Sequence, residues 1–292
     1  MNKISNSTKI TMLLIAMTTM MSNIAIITAL PHLKDYFVDE QNIEFLARLM
    51  ITIPSLAIAF LAPFLGHFVY KVGRQKSALV ALFLFAITGS SGLYLDSMDS
   101  LLFSRFFLGI SIAILMIVST SLVGDYFSGD ARHKFMGIQG AFVSLGGVVF
   151  VIGGGVLSDI SWRYSFAIYL IGLLLIPLVY MFLKDRVIYH DESNDDENIN
   201  SNLFIIYFLA FILMVVFYIL PTQIPFLIIN HFGASGTITG SIIATAFISH
   251  AVGAIVFRKL KLKFSYSQVY LIGMGIIAFG FVAIGTVTNV YF

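Results

Sequence analysis

Long apolar runs alternate with short polar interruptions from one end of the chain to the other, and most runs contain no charge at all. A transmembrane helix needs about 20 predominantly apolar residues. Nine runs meet that length, over 10–30, 47–70, 77–95, 101–124, 136–160, 163–183, 203–229, 237–257 and 268–288. A membrane β-barrel would read instead as short alternating segments, and a stretch such as Ser77 to Leu95 does not alternate. The pattern therefore predicts an all-α membrane protein. The first run follows Lys3 and Lys9 as a signal peptide would. It is too long for one, and no small-x-small exit precedes Pro31, so it is read as the first spanning helix.

The polar interruptions orient the bundle. Lys and Arg resist translocation and collect on the cytoplasmic side. With nine spans and the N-terminus inside, thirteen cations fall on one side (Lys3, Lys9, Lys71, Arg74, Lys76, Arg132, Lys134, Lys184, Arg186, Arg258, Lys259, Lys261 and Lys263). Only Lys34, Arg48 and Arg163 fall on the other, and Arg105 lies within a span. A miscounted span would scramble this division. The expectation is a multi-pass protein of the plasma membrane with a cytoplasmic N-terminus.

One interruption is long. Lys184 to Asn202 carries Asp191, Glu192, Asp195, Asp196 and Glu197, an acidic composition that predicts an unstructured cytoplasmic linker over 185–202. It divides the chain into a six-helix bundle, 1–184, and a group of three helices, 203–292. The second group echoes the first. Gly66, Val69, Lys71, Arg74 and Lys76 return in kind as Gly253, Val256, Arg258, Lys261 and Lys263, all at an offset of 187, and Leu30-Pro31 returns as Leu220-Pro221 at 190. Duplication of a six-helix unit accounts for both echoes. It also leads to the expectation that three further helices, or a second chain, complete the second unit.

Composition narrows the chemistry. The chain is 59% hydrophobic and 11% charged, against roughly 45–50% and 25% in soluble domains. Without cysteine it has no disulfide and no thiolate metal site. Its six histidines are scattered, and no His-Glu-x-x-His or paired aspartates lie within spans, so neither an enzyme, nor a cofactor, nor a metal centre is implied. The cations line one membrane face without interleaved aromatics, which argues against a nucleic-acid partner.

Three motifs resemble those of the major facilitator superfamily, and within it the twelve-helix drug:proton antiporter branch. The loop Gly66-His67-Phe68-Val69-Tyr70-Lys71-Val72-Gly73-Arg74-Gln75-Lys76 is similar to the family's Gly-x-x-x-Asp-x-x-Gly-Arg-x-Arg/Lys, matched at Gly66, Gly73, Arg74 and Lys76 and broken at Tyr70, where the family has the aspartate of its inner-gate latch. Span 4 carries the Arg-x-x-x-Gly core as Arg105 and Gly109. Span 5 resembles Gly-x-x-x-Gly-Pro-x-x-Gly-Gly at Gly146, Gly154 and Gly155, with Phe150-Val151 in place of the Gly-Pro pair. Asp125 stands where the family has an acid at the inner end of span 4, and the resemblance implies that it pairs with Arg74 across the inner gate.

The residues support these matches in part. Arg105, Gly109 and Ala113 recur every four positions, putting a cation on a stripe of small residues that lets helices approach closely. An arginine at mid-membrane costs about 2.5–3.5 kcal/mol on insertion scales, which makes it a functional candidate; alternatively it snorkels outward and pairs with Asp96 or Asp99. Gly140, Gly147 and Gly154 recur every seven residues and share a face, which suits tight packing whatever the transport mode.

The implied activity is secondary transport by alternating access, with the solute bound near the bilayer midplane. Candidate cavity residues are Thr19, Asn23, Gln139, Phe142, Tyr218 and Gln223, the last bracketed by Pro221 and Pro225. Asn23 and Gln139 serve equally well as interhelical hydrogen-bonding groups. So few fixed charges suit a small amphipathic solute. Proton coupling needs a titrating group, and the candidates are Asp35 and His32 just past span 1 and His250, the latter also readable as an ordinary helix-end histidine, with Arg105 and Gly109 standing beside them as transport candidates. Efflux by proton antiport is the favoured expectation; uptake or uniport of a polar metabolite, and a non-transporting remnant, stand beside it.

Overall fold

A computed structural model describes residues 4–38, 40–185, 202–260 and 263–286, with the side chains of a few positions, Asn23 among them, outside that description. Most of the acidic segment 185–202, and the side chains of the second cation cluster at Arg258, Lys259 and Lys261, also lie outside it. The described regular structure is helical throughout: α1 (Asn6–Thr18), α2 (Met21–Ile24), α3 (Leu33–Tyr36), α4 (Ile43–Val72), α5 (Arg74–Gly89), α6 (Met98–Tyr126), α7 (Gly129–Ile160), α8 (Ile171–Phe182), α9 (Asn202–Phe226), α10 (Gly236–Leu260) and α11 (Tyr266–Thr286). Among the described residues eight helical stretches are long and apolar enough to span a bilayer. They correspond to the second through ninth expected spans. Helix is the natural choice, because lipid offers no partner to an unpaired peptide group.

The first span departs from expectation. A continuous helix over 10–30 is predicted, but α1 stops at Thr18, α2 is a single turn, and a 3₁₀ segment follows over Ile27–His32. The cause is local. The hydroxyls of Thr18 and Thr19 donate back to the carbonyls of Ile15 and Ala16, both at 2.7 Å, and the Thr19 and Met20 amides slip to i−3 acceptors. Pro31 then has no amide hydrogen to offer. Such a break survives at membrane depth only when protein surrounds it. Ala25, Ile26, Ile27, Thr28, Ala29 and Leu30 are accordingly all buried.

The sequence echo of this region behaves differently. Pro221 and Pro225 are accommodated inside α9, and the distortion appears after them as a π-helical turn at Leu227–His231. Extra residues per turn are one way a helix absorbs a lost hydrogen bond.

Around the broken span the long helices pack in pairs: α4 along α6, α5 against α6 and α8, and α7 along α10. At Gly109 the α4–α6 pair meets at main-chain distance. A Cβ there would stand 2.5 Å from the Pro54 carbonyl oxygen and 2.7 Å from Ala57 Cβ. Gly140, Gly147 and Gly154 do not form one interface: Gly140 has open space, Gly147 meets Phe247 of α10, and Gly154 lies on the Ala25 carbonyl in the broken span. We expect Gly109→Ala to destabilise the folded protein by about 1–3 kcal/mol through overpacking, whereas Gly140→Ala is neutral or slightly stabilising. Thermal unfolding of the detergent-solubilised variants measures both, and equal melting temperatures would contradict the contact.

Candidate functional site

Arg105 is completely buried in α6. The helix α5 ends at Gly89 and passes into a 3₁₀ turn over Ser90–Leu93, which leaves late carbonyls without intrahelical donors. Arg105 Nη2 supplies them, reaching Gly89 O at 2.8 Å and Thr88 O at 3.2 Å, and also Ser91 Oγ at 3.0 Å. Ser91 in turn shares a 2.7 Å hydrogen bond with Ser104. The guanidinium carbon lies 4.9 Å from the centre of the Phe166 ring and 5.3 Å from that of Tyr169. A cation is thus solvated by the carbonyl end of one helix and by two aromatic faces.

Asp96, one of the two acids expected as an alternative partner for Arg105, instead pairs with Arg163. Arg163 also donates to the carbonyls of Gly92 (2.9 Å) and Leu95 (3.1 Å) and to the Tyr36 hydroxyl (2.9 Å), between the rings of Trp162 and Tyr36. Asp99 is exposed. Arg105 therefore sits inside the packing of α5, α6 and the 3₁₀ segment Trp162–Leu170, away from α9 and α10.

At the basic end of the bundle a second cluster assembles. Gly73 has φ +95° and so lets the chain turn from α4 directly into α5. That turn presents Arg74, whose Nε stands 3.0 Å from Asp125 Oδ2, with the acid nearly buried. Tyr70 is 72% exposed, and the Arg74 guanidinium lies 6.0 Å from its ring centre, so the position of the family's acid offers a π face where an ion pair would be. Asp185 accepts the Gln75 amide at 3.0 Å in the first turn of α5. Gln75 Nε2 reaches the Tyr180 carbonyl at 2.8 Å, and the Tyr126 hydroxyl the Lys184 carbonyl at 2.7 Å. Gly66 has open space around it, and Lys76 is exposed.

Between the first six spans and the helices that follow runs a polar seam. Ser55 of α4 and Tyr218 of α9 share a hydrogen bond of 2.7 Å. Ser144 Oγ lies 3.0 Å from His250 Nδ1. Toward the end of the bundle remote from Arg74, a Cβ at Gly240 would stand 2.5 Å from the Val151 carbonyl oxygen, and Gly155 touches Gly236 backbone to backbone. Asp159 closes that end, accepting the amides of Gly236 (2.5 Å) and Thr237 (2.9 Å) and the Thr237 hydroxyl (2.5 Å). At the basic end Gly137, Gly140 and Gly253 have nothing within 4 Å of a built Cβ. The seam is tight at one end and open at the other.

This helical arrangement can be compared with known proteins. The sequence profile of the Major Facilitator Superfamily matches residues 12–292. The chain belongs to the major facilitator superfamily. Curated relatives of this superfamily member include "Riboflavin transporter RibZ" of Clostridioides difficile (strain 630), 29% identical over 147 residues, 50% of this chain and 32% of RibZ. Another is "Multidrug resistance protein 2" of Bacillus subtilis (strain 168), 26% identical over 165 residues, 53% of this chain and 41% of that protein. The chain spans less than half the length of the curated relatives it matches. Among solved structures, an inward-facing, occupied bacterial homologue of the human lysosomal transporter Spinster superposes with TM-score 0.73 at 18% identity, over 89% of this chain and 62% of that one. A D-xylose–proton symporter gives 0.66 at 15%, over 88% and 69%. At those identities the likeness is one of fold.

Within this major facilitator fold the remaining candidates scatter. Asp35 is exposed on α3, and Gln223 is exposed on α9. Thr19 Oγ1 is spent on the Ala16 carbonyl, and Gln139 Nε2 donates 2.7 Å to Ser119 of α6, the interhelical bond of its alternative reading. Phe142 packs at the edge of the core, where Gly146 meets Met17. Asn23 falls outside the described side chains. Ser55, Ser144 and Asp159, single polar residues at span interiors or ends, leave no mark on the apolar pattern; Pro54 beside Ser55 and the glycines before Asp159 are the signals the sequence carries. For Arg105 we expect Arg105→Ala to abolish folding or lower the melting temperature sharply, since each charged hydrogen bond is worth about 1.5–3 kcal/mol. Arg105→Lys should recover only part, because an ammonium lacks the planar fork that serves carbonyls and rings together. Undiminished thermal stability of Arg105→Ala would contradict this.

Proposed function

We propose that this protein is a secondary transporter that exports a small amphipathic solute by alternating access, coupled to proton antiport. The observation that carries it is the seam itself, hydrogen-bonded and backbone-tight at one end and open at the basic end. With the basic end in the cytoplasm, as the positive-inside rule directs, that is an inward-facing arrangement. The Ser55–Tyr218 hydroxyl pair lies where α4 and α9 meet and offers polar contacts that a solute can exchange for its own. Aromatic and hydroxyl groups without a carboxylate suit a lipophilic or weakly polar solute. The similarity to the Bacillus multidrug resistance protein points the same way.

His250 is the coupling candidate. Its Nδ1 meets Ser144 across the seam, and an imidazole can both take up and release a proton where no carboxylate is at hand. Arg74 and Asp125 then act as the inner-gate pair, with Tyr70 taking the π contact in place of the family's carboxylate. Uptake of a polar metabolite is the second reading. It is favoured by the likeness to a riboflavin transporter and by Phe150-Val151, both buried, where antiporters carry Gly-Pro.

Two measurements test this. In energised vesicles containing the full chain, efflux of a lipophilic dye should stop when a proton ionophore is added, and His250→Asn should remove the dependence on the pH gradient. Accumulation of a polar solute such as riboflavin, with no dye efflux, would favour the second reading. Arg74→Asp and Asp125→Arg should each impair transport, and the double exchange should restore a substantial part. No restoration would leave both residues as packing or topology determinants.

A further inference from the structure

Asp159 enters none of the motifs that define the superfamily in this chain, yet among the described residues it makes the densest set of hydrogen bonds between the first six spans and the helices beyond them. Its two carboxylate oxygens take the amides of Gly236 and Thr237, and one also takes the Thr237 hydroxyl. Those amides belong to the first turn of α10, where four backbone N–H groups lack intrahelical acceptors and the helix dipole is positive. No residue of α10's own chain segment supplies this carboxylate; it comes from the last turn of α7, on the other side of the seam.

The helices pack closely beside the exposed Asp159 carboxylate. Gly155 and Gly236 meet backbone to backbone, with the Ser158 side chain beside them, and Ser158 Oγ is already bonded to the Gly155 carbonyl. One turn deeper, Gly240 lies on the Val151 carbonyl. A side chain at any of the three glycines would hold α7 and α10 apart and withdraw Asp159 from its amides. The glycines let the two helices touch, and the carboxylate holds them touching. Small-residue contacts alone give a sliding surface in lipid, because the hydrophobic effect does not press apolar helices together there. A charged acceptor on two amides and a hydroxyl adds a bond with a fixed position and a definite broken state.

We propose that Asp159 is the latch of the outer gate, holding the inward-facing state closed on its external side through the first turn of α10. The inference rests on the alternating-access reading above. Opening to the outside separates α7 from α10 at this end, and the amides and the carboxylate are then taken over by water. Asp159→Asn keeps the size of the side chain but removes the charge and turns one acceptor into a donor facing an N–H. Thr237→Val removes one of the three bonds and leaves the two amides in place. Asp159 is in this view a positioning residue and has no contact with the solute.

The chain contains no cysteine, so paired spin labels can be placed without altering the background. Val38→Cys and His231→Cys, both exposed at this end and outside the cluster, report its opening by pulsed electron resonance in nanodiscs. The parent chain should give two distances, the shorter predominating. Asp159→Asn should raise the ratio of long to short by about tenfold, which corresponds to about 1.4 kcal/mol; Thr237→Val should shift it in the same direction by less. Two distances in the parent with an unchanged ratio in both variants would overturn the latch and leave alternating access standing. A single distance in parent and variants alike would overturn both. Should Asp159→Asn fail to fold, Thr237→Val decides: a shifted ratio supports the latch, and an unchanged one overturns it.

Discussion

Lipid supplies no hydrogen bonds, and the architecture follows from that constraint. Every peptide group within the membrane must find a partner inside the protein, so regular structure is helical and each departure from helix needs an explicit remedy. The remedies are visible. Where α5 gives way to a 3₁₀ turn, Arg105 donates to the carbonyls of Thr88 and Gly89. A few residues further on, Arg163 does the same for Gly92 and Leu95. The buried Arg105, and Arg163 at the outer end, are thereby matched to carbonyls that would otherwise lack donors. Each is backed by aromatic rings, Phe166 and Tyr169 for the first and Trp162 and Tyr36 for the second. The local fault in α5 and the buried charge in α6 are one structural element.

The same principle separates what was legible in the sequence from what was not. Spans two to nine were readable as helical because uninterrupted hydropathy leaves only internally bonded helix open; the 3₁₀ start of the sixth over Trp162–Leu170 and the π turn ending the seventh over Leu227–His231 carried no such signal. The break in the first span was not readable, since a threonine such as Thr120 makes the same back-bond in a helix that continues; here the outcome depended on α4, α7, α9 and α10 enclosing the freed groups. Pro31 and Pro221 look alike in sequence but differ in structure for the same reason. The Arg74–Asp125 proximity was reachable only through the family likeness, because nothing in local spacing brings residues 74 and 125 together. Arg105 was recognisable as exceptional from its position alone, but its partners are carbonyls, which carry no side-chain signature. Ser55, Ser144 and Asp159 escaped attention because each is a lone polar residue whose partner lies in another helix.

Glycine plays two distinct parts. At Gly73 a positive φ turns the chain between α4 and α5 and presents Arg74 to Asp125. At Gly109, Gly154, Gly155 and Gly236 backbone conformation is ordinary and the missing side chain is what matters, since helices meet there at main-chain distance. The tight contacts fall within the first six spans and along the α7–α10 seam away from the basic end. Their absence around Gly137 and Gly140 gives the bundle its asymmetry between ends.

The broken first span also bears on how the protein is made. Its peptide groups between Thr18 and Pro31 are satisfied or sheltered only once α4, α7, α9 and α10 stand around them. An unpaired amide in hydrocarbon costs several kcal/mol. The segment therefore cannot settle in the bilayer in its final form when it leaves the ribosome, and must wait at the translocation machinery or enter as a plain helix and unwind later. The part of the chain synthesised first is among the last to reach its mature conformation.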